Sequence, residues 1–151
     1  MTMSTSPRWP RRLLAFVGAL LIAAAWGAIV QTQFNLQQLL PFVDIPLRVR
    51  LQTTLHDLAA FGSLYALMLL VAWLPAFVVA MWLARRWPGV RTPLYALAAG
   101  VAVVVAIRAT DAAVPPPVLI DATRSLAGLL AMAAGCVIGG ALFAHWTRPA
   151  D

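Results

Sequence analysis

The chain has no lysine and no glutamate. Its eleven cationic side chains are all arginine and its five anionic ones all aspartate, so charged residues make up only 11% of the sequence, against about 25% in soluble chains. Apolar residues make up 62%, and so little polar surface cannot wet a compact soluble domain or keep a chain disordered. The lone cysteine, Cys136, excludes an internal disulfide; inside an apolar run it reads as a small buried hydrophobe. Cys-x-x-Cys, His-Glu-x-x-His and glycine-rich phosphate-loop patterns are all missing. No sequence pattern therefore names a reaction, and neither cofactor nor metal is expected.

A net charge of +6 invites a nucleic-acid reading, but the arginines stand in ones, twos and threes between long uncharged stretches rather than on one wettable face. No nucleic-acid partner is expected. The uncharged stretches themselves carry the information. The dense apolar part of the first, Leu13 to Val30, spans about 27 Å as a helix, enough for a bilayer core. Leu58 to Ala84 would span roughly 40 Å and must tilt, kink or protrude; Pro75 supplies a local cause for a kink. Thr92 to Ile107 is short, so its helix should run on past Arg108 and leave that guanidinium at the interface. Ser125 to Thr147 is long enough unaided.

These runs predict an all-α membrane protein, four transmembrane helices in an antiparallel bundle. The expected organisation is a basic cytoplasmic N-terminus at 1–12, one transmembrane domain at 13–147 and a cytoplasmic C-terminus at 148–151. The spans fall at about 13–31, 58–84, 92–111 and 122–147. Orientation follows from arginine asymmetry. An inside N-terminus places Arg8, Arg11, Arg12, Arg85, Arg86, Arg91 and Arg148 in the cytoplasm and Arg48, Arg50, Arg108 and Arg124 outside. Asp44, Asp57, Asp111 and Asp121 also fall outside and cancel that charge, while Trp9, Trp82, Trp87 and Trp146 mark the inner boundary. A bacterial inner membrane with both termini cytoplasmic is the expected location. The basic start, apolar stretch and Ala23-Ala24-Ala25 also resemble a cleavable signal peptide, but the apolar stretch exceeds the usual h-region.

The long connection between the first two spans is punctuated by Pro41 and Pro46, and Leu47, Leu51, Leu55 and Leu58 recur at helical spacing. Residues from Leu47 onward read as a helical periplasmic extension leading directly into the second span, its leucines against the bilayer surface or the bundle. Pro115, Pro116 and Pro117 should give a stiff lead into the fourth helix.

Two features are candidates for function. The first is a set of small-residue stripes, Ala19, Ala23 and Gly27 in the first span and Gly128, Ala131, Gly135 and Gly139 in the fourth, which let helices approach closely in lipid. The second is an outer polar cluster: Arg48, Arg50, His56, Asp57, Arg108, Asp111, Asp121 and Arg124, with Gln31, Asn35 and Thr53 nearby. Arg108 with Asp111, and Asp121 with Arg124, stand three apart and can pair along a helix face. Arg124 lies four residues before Gly128, so it is expected to project from the same face as the fourth-helix stripe and towards the bundle rather than lipid. Water at the helix ends makes ion pairing the simpler reading, and a binding site the sharper one. His56 and Asp57 are adjacent and point about 100 degrees apart on a helix, so they form no ready dyad. His145 lies a membrane thickness away.

The segments RLQTTLHDLAAFGSLYALMLLVAW and TRSLAGLLAMAAGCVIGGALFA resemble small four-helix inner-membrane proteins of proteobacteria. That resemblance implies fold and location and brings no activity with it. The expected role is a non-enzymatic membrane or complex-associated subunit acting through its periplasmic end. Its partners would be the lipid bilayer and a membrane-protein partner or a second copy. A small oligomeric transporter, and a quinone-interacting or other membrane enzyme subunit using His56, Asp57 and the nearby arginines, are the alternatives. Against transport, no charged residue lies mid-span.

Overall fold

The structure, a computed structural model, describes residues 8–113 and 120–148. Within them the chain is all-helical. Four long helices follow one another, α1 (Arg8–Leu39), α2 (Leu47–Arg86), α3 (Arg91–Ala113) and α4 (Leu126–Trp146), and each is long and apolar enough to cross a membrane.

Local chemistry sets the helix ends. Pro41 follows the end of α1, where the amides of Phe42 and Val43 close onto the Leu39 carbonyl at 3.0 and 3.1 Å. Pro46, with φ −60° and ψ 149°, is pre-set to lead into α2, which starts at Leu47 where the sequence places the extension. The helix then runs unbroken through Pro75 on its exposed side. Arg85 and Arg86 occupy the last turn, where cations complement the helix dipole. A single 3-10 turn, Pro88–Val90, leads into α3. That helix runs on past Arg108, which is exposed, to Ala113. The proline triplet Pro115 to Pro117 lies outside the described residues.

The fourth helix begins later than the sequence suggests. A 3-10 turn, Asp121–Arg124, is followed by Ser125 in an extended conformation (φ −104°, ψ 145°), whose Oγ accepts the Gly128 amide at 3.0 Å. Serine favours such a cap because its side chain satisfies an amide that has no partner in the first turn. The cap breaks the helical phase, so Arg124 is not on the continuous face inferred from its four-residue distance to Gly128.

α1 packs against α2 and α4, and α3 against the same two helices. Trp73, Leu69, Val103, Ile107, Met132, Cys136, Ala19 and Ala23 are fully enclosed between them. Toward one end, Phe16, Trp73, Phe77, Tyr95 and Phe143 form an aromatic cluster; Trp73 stacks on Phe77 at 5.0 Å, and Phe16 meets Phe77 edge-on at 5.7 Å. Small residues set the closest approaches. Gly27 faces the Tyr65 ring, Gly135 faces Trp26, and Gly139 sits between Trp73 and the Ala19–Ala23 stretch of α1. The outward faces are as apolar as the interior: Leu21, Leu67, Val71, Leu97, Val105 and Leu130 are all exposed. Water would leave such a surface unsatisfied, whereas hydrocarbon matches it.

Candidate functional site: the polar ends of the helices

At the end where α1 finishes and α2 begins, hydrogen bonds cross between elements. The Thr32 hydroxyl, fully buried, lies 2.7 Å from Asp57 Oδ2 and 2.9 Å from the Ala28 carbonyl. Gln33 Nε2 donates to Thr54 Oγ1 at 3.3 Å. Gln31 Oε1 accepts the Ala122 amide at 2.8 Å and so ties α1 to the turn before α4. Three consecutive polar residues of α1 thus reach two different neighbours, because successive helical side chains fan out by about 100 degrees.

Of the eight expected cluster residues, Asp57 joins this network. His56, Arg48 and Arg108 are exposed, and Arg50 is half-buried with its Nε enclosed and without a hydrogen-bond partner among the described residues. Asp111 is half-buried, and among the described residues its Oδ2 likewise has no hydrogen-bond partner and the expected Arg108–Asp111 pair is not formed. Arg124 is exposed beside Phe34, Gln37 and Gln38 of α1. The side chain of Asp121 lies outside the described residues. Asn35 is exposed, and Thr53 bonds its own helix at the Val49 carbonyl, 2.9 Å away.

The fourth-helix glycines divide by partner. Gly135 and Gly139 receive side chains of α1 and α2, while a Cβ at Gly128 would strike the Ala122 carbonyl. Gly128 therefore serves the turn folded over its own helix start. Gly140, outside the expected stripe, lies against the Tyr95 carbonyl and Ala99 of α3. Trp26 covers Gly135 and donates its indole N–H to the Ala131 carbonyl at 2.8 Å. In the interior, Cys136 lies 3.7 Å from the Tyr65 hydroxyl and is fully buried.

The opposite end is basic. Arg91 donates to the Ala144 carbonyl and, at 2.6 Å, to Thr147 Oγ1, and its guanidinium lies 5.1 Å over the Tyr95 ring. Arg148 donates to Thr92 Oγ1 at 3.2 Å. Between α2 and α3 on the outside runs an apolar groove of about 820 Å³, lined by residues such as Leu64, Val71, Pro75, Ala98 and Val105, with Thr110 its one polar lining residue. Nowhere among the described residues do three histidine, cysteine or aspartate side chains converge as metal ligands would. Comparison with protein-family models, curated proteins and solved structures finds no match to this chain.

Sequence reasoning named Gln31 and Asp57 but passed over Thr32, Gln33 and Thr54, which complete the network. The run of polar residues Gln31-Thr32-Gln33 closing the first apolar stretch, with a carboxylate near the start of the next, was the available signal.

Proposed function

We propose that this chain is an integral protein of the bacterial inner membrane, an antiparallel four-helix bundle with both termini cytoplasmic. It acts there as a non-enzymatic subunit of a membrane assembly through its periplasmic end. The observation that carries this reading is a mismatch of lengths. α2 has 40 residues, about 60 Å of helix against about 30 Å of hydrocarbon, whereas α3 and α4 have 23 and 21, close to one bilayer crossing. The excess lies at the start of α2, since the α2–α3 groove begins only at Leu64. That leading segment leaves Leu47, Leu51 and Leu55 exposed, with Arg48 and His56 among them.

Several observations support the arrangement. Gly18 of α1 lies against Trp146 at the end of α4, and Gln31 against the turn before α4 begins, as in helices of opposite direction. Arg12, Arg85, Arg91 and Arg148 gather at one end, which is the arginine-rich and so cytoplasmic end. Close packing at Gly27 against Tyr65 and at Gly139 against Trp73 and α1 supports the subunit reading over transport.

The test is co-purification from native membranes in mild detergent, comparing wild type with Leu51→Asp/Leu55→Asp. A stoichiometric second polypeptide that is lost from the variant, while the variant keeps its own folded profile, supports the proposal. A defined homo-oligomer that persists in both points to the oligomeric transporter and overturns it.

A further inference from the structure

The four arginines at the inner end enclose a basin of about 560 Å³. Each comes from a different part of the fold: Arg12 from α1, Arg85 from α2, Arg91 from the start of α3 and Arg148 from just past α4. Tyr95 and Phe143, in edge contact at 5.1 Å, form its apolar wall. Among the described residues the lining contains no aspartate. Arg12 and Arg148 both bear repulsively on Arg91.

The four guanidinium groups differ in how far they are committed. Arg91 is spent on the fold, bonded to Ala144 and Thr147 and laid over Tyr95, and Arg148 reaches Thr92. Arg12 and Arg85 donate to no oxygen among the described residues; Arg85 donates to the Met81 sulfur at 3.9 Å. Positive-inside topology requires arginines on this face, but it does not require them to ring one concavity. Arg11 and Arg86 satisfy the same topological rule from outside it.

We propose that this basin is a binding site for a phosphate-bearing anion, gripped by Arg12 and Arg85 and seated on the wall that Arg91 braces. Guanidinium groups match phosphate oxygens with paired N–H donors, and basic pockets between membrane helices on the cytoplasmic side suit lipid headgroups. The same chemistry is offered by an anionic phospholipid of the inner leaflet and by a soluble phosphate. The lipid source rests on the membrane placement proposed above; the phosphate chemistry rests on the packed helices alone.

The full chain in neutral detergent is titrated with phosphatidylglycerol or with phosphatidylcholine, whose choline cancels the charge, and retained lipid is counted by native mass spectrometry. Parallel calorimetry uses inorganic phosphate and glycerol phosphate. Two variants are compared, Arg12→Gln/Arg85→Gln in the basin and Arg11→Gln/Arg86→Gln outside it, which lose the same charge from the same end. Binding by the first should weaken about tenfold or more, and binding by the second should stay within about twofold of wild type. Retention of phosphatidylglycerol over phosphatidylcholine assigns the headgroup, and binding of the small phosphates without lipid retention assigns a soluble ligand. Equal losses in the two variants, or no binding in either arm, overturns the site. Carbonate extraction of native membranes scores membrane integration separately, so failure there leaves the phosphate result readable.

Discussion

Adding a single methyl group at Gly139 tests the packing most sharply. A Cβ there would stand 2.8 Å from Trp73 Cη2, 3.0 Å from the Ala19 carbonyl oxygen and 3.2 Å from Ala23 Cβ. None of the three yields easily. Trp73 is fully buried and stacked on Phe77, and the other two are backbone and the stub of a buried alanine. Overpacking of this kind costs about 1–3 kcal/mol. Alanine gains roughly 1 kcal/mol of helix propensity over glycine in water, but in a bilayer the dissociated helix is still a helix, so most of that offset disappears. Gly139→Ala should therefore lose about 1–3 kcal/mol. Gly62→Ala is the matched control, because its Cβ meets only ordinary contacts at 3.6 and 3.7 Å, and it should change stability by no more than about 0.5 kcal/mol. Stability is read from tryptophan fluorescence as denaturing detergent replaces mild detergent. If Gly139→Ala proves as stable as Gly62→Ala, the close seam between α4, α1 and α2 is wrong.

A double-mutant cycle joins Trp26 to Gly135: Gly135→Ala should destabilise the wild type by about 1 kcal/mol or more and become nearly neutral in Trp26→Ala, because the ring it strikes is gone. Additive losses would separate the two residues. Where α1 ends and α2 begins, Thr32→Val should cost about 1–3 kcal/mol through the lost contact to Asp57, while His56→Ala, on an exposed side chain, should stay within about 0.5 kcal/mol; the same unfolding titration checks both, and the reverse order would discard the network.

The four helices were legible because each is long and apolar all round, as a membrane-crossing helix must be, and length alone marks it. That same uniformity hides which face meets which helix. Gly135 and Gly139 could be picked as small residues, but nothing in α4 distinguished them from Gly140, which serves α3, or from Gly128, which serves its own turn. The break at Ser125 was readable in principle, since serine three residues before a glycine amide is a cap chemistry. It was missed because Asp121 and Arg124, three residues apart, read as the opening turn of a continuous fourth helix. The arginine-lined basin was illegible for another reason. Arg12, Arg85, Arg91 and Arg148 are far apart in sequence, and each is explained singly by membrane topology; their common cavity exists only once the helices pack.

Site-directed cysteine labelling in intact cells tests the central claim most directly, because the native Cys136 is fully enclosed and should stay silent. Leu51→Cys, on the exposed start of α2, and Gly89→Cys, in the turn before α3 where a side chain meets open space, report on opposite ends. A membrane-impermeant maleimide should label Leu51→Cys in intact cells and Gly89→Cys only after lysis. Labelling of Gly89→Cys in intact cells, or of both variants alike before lysis, would contradict the proposed orientation and with it the periplasmic projection on which the functional reading stands.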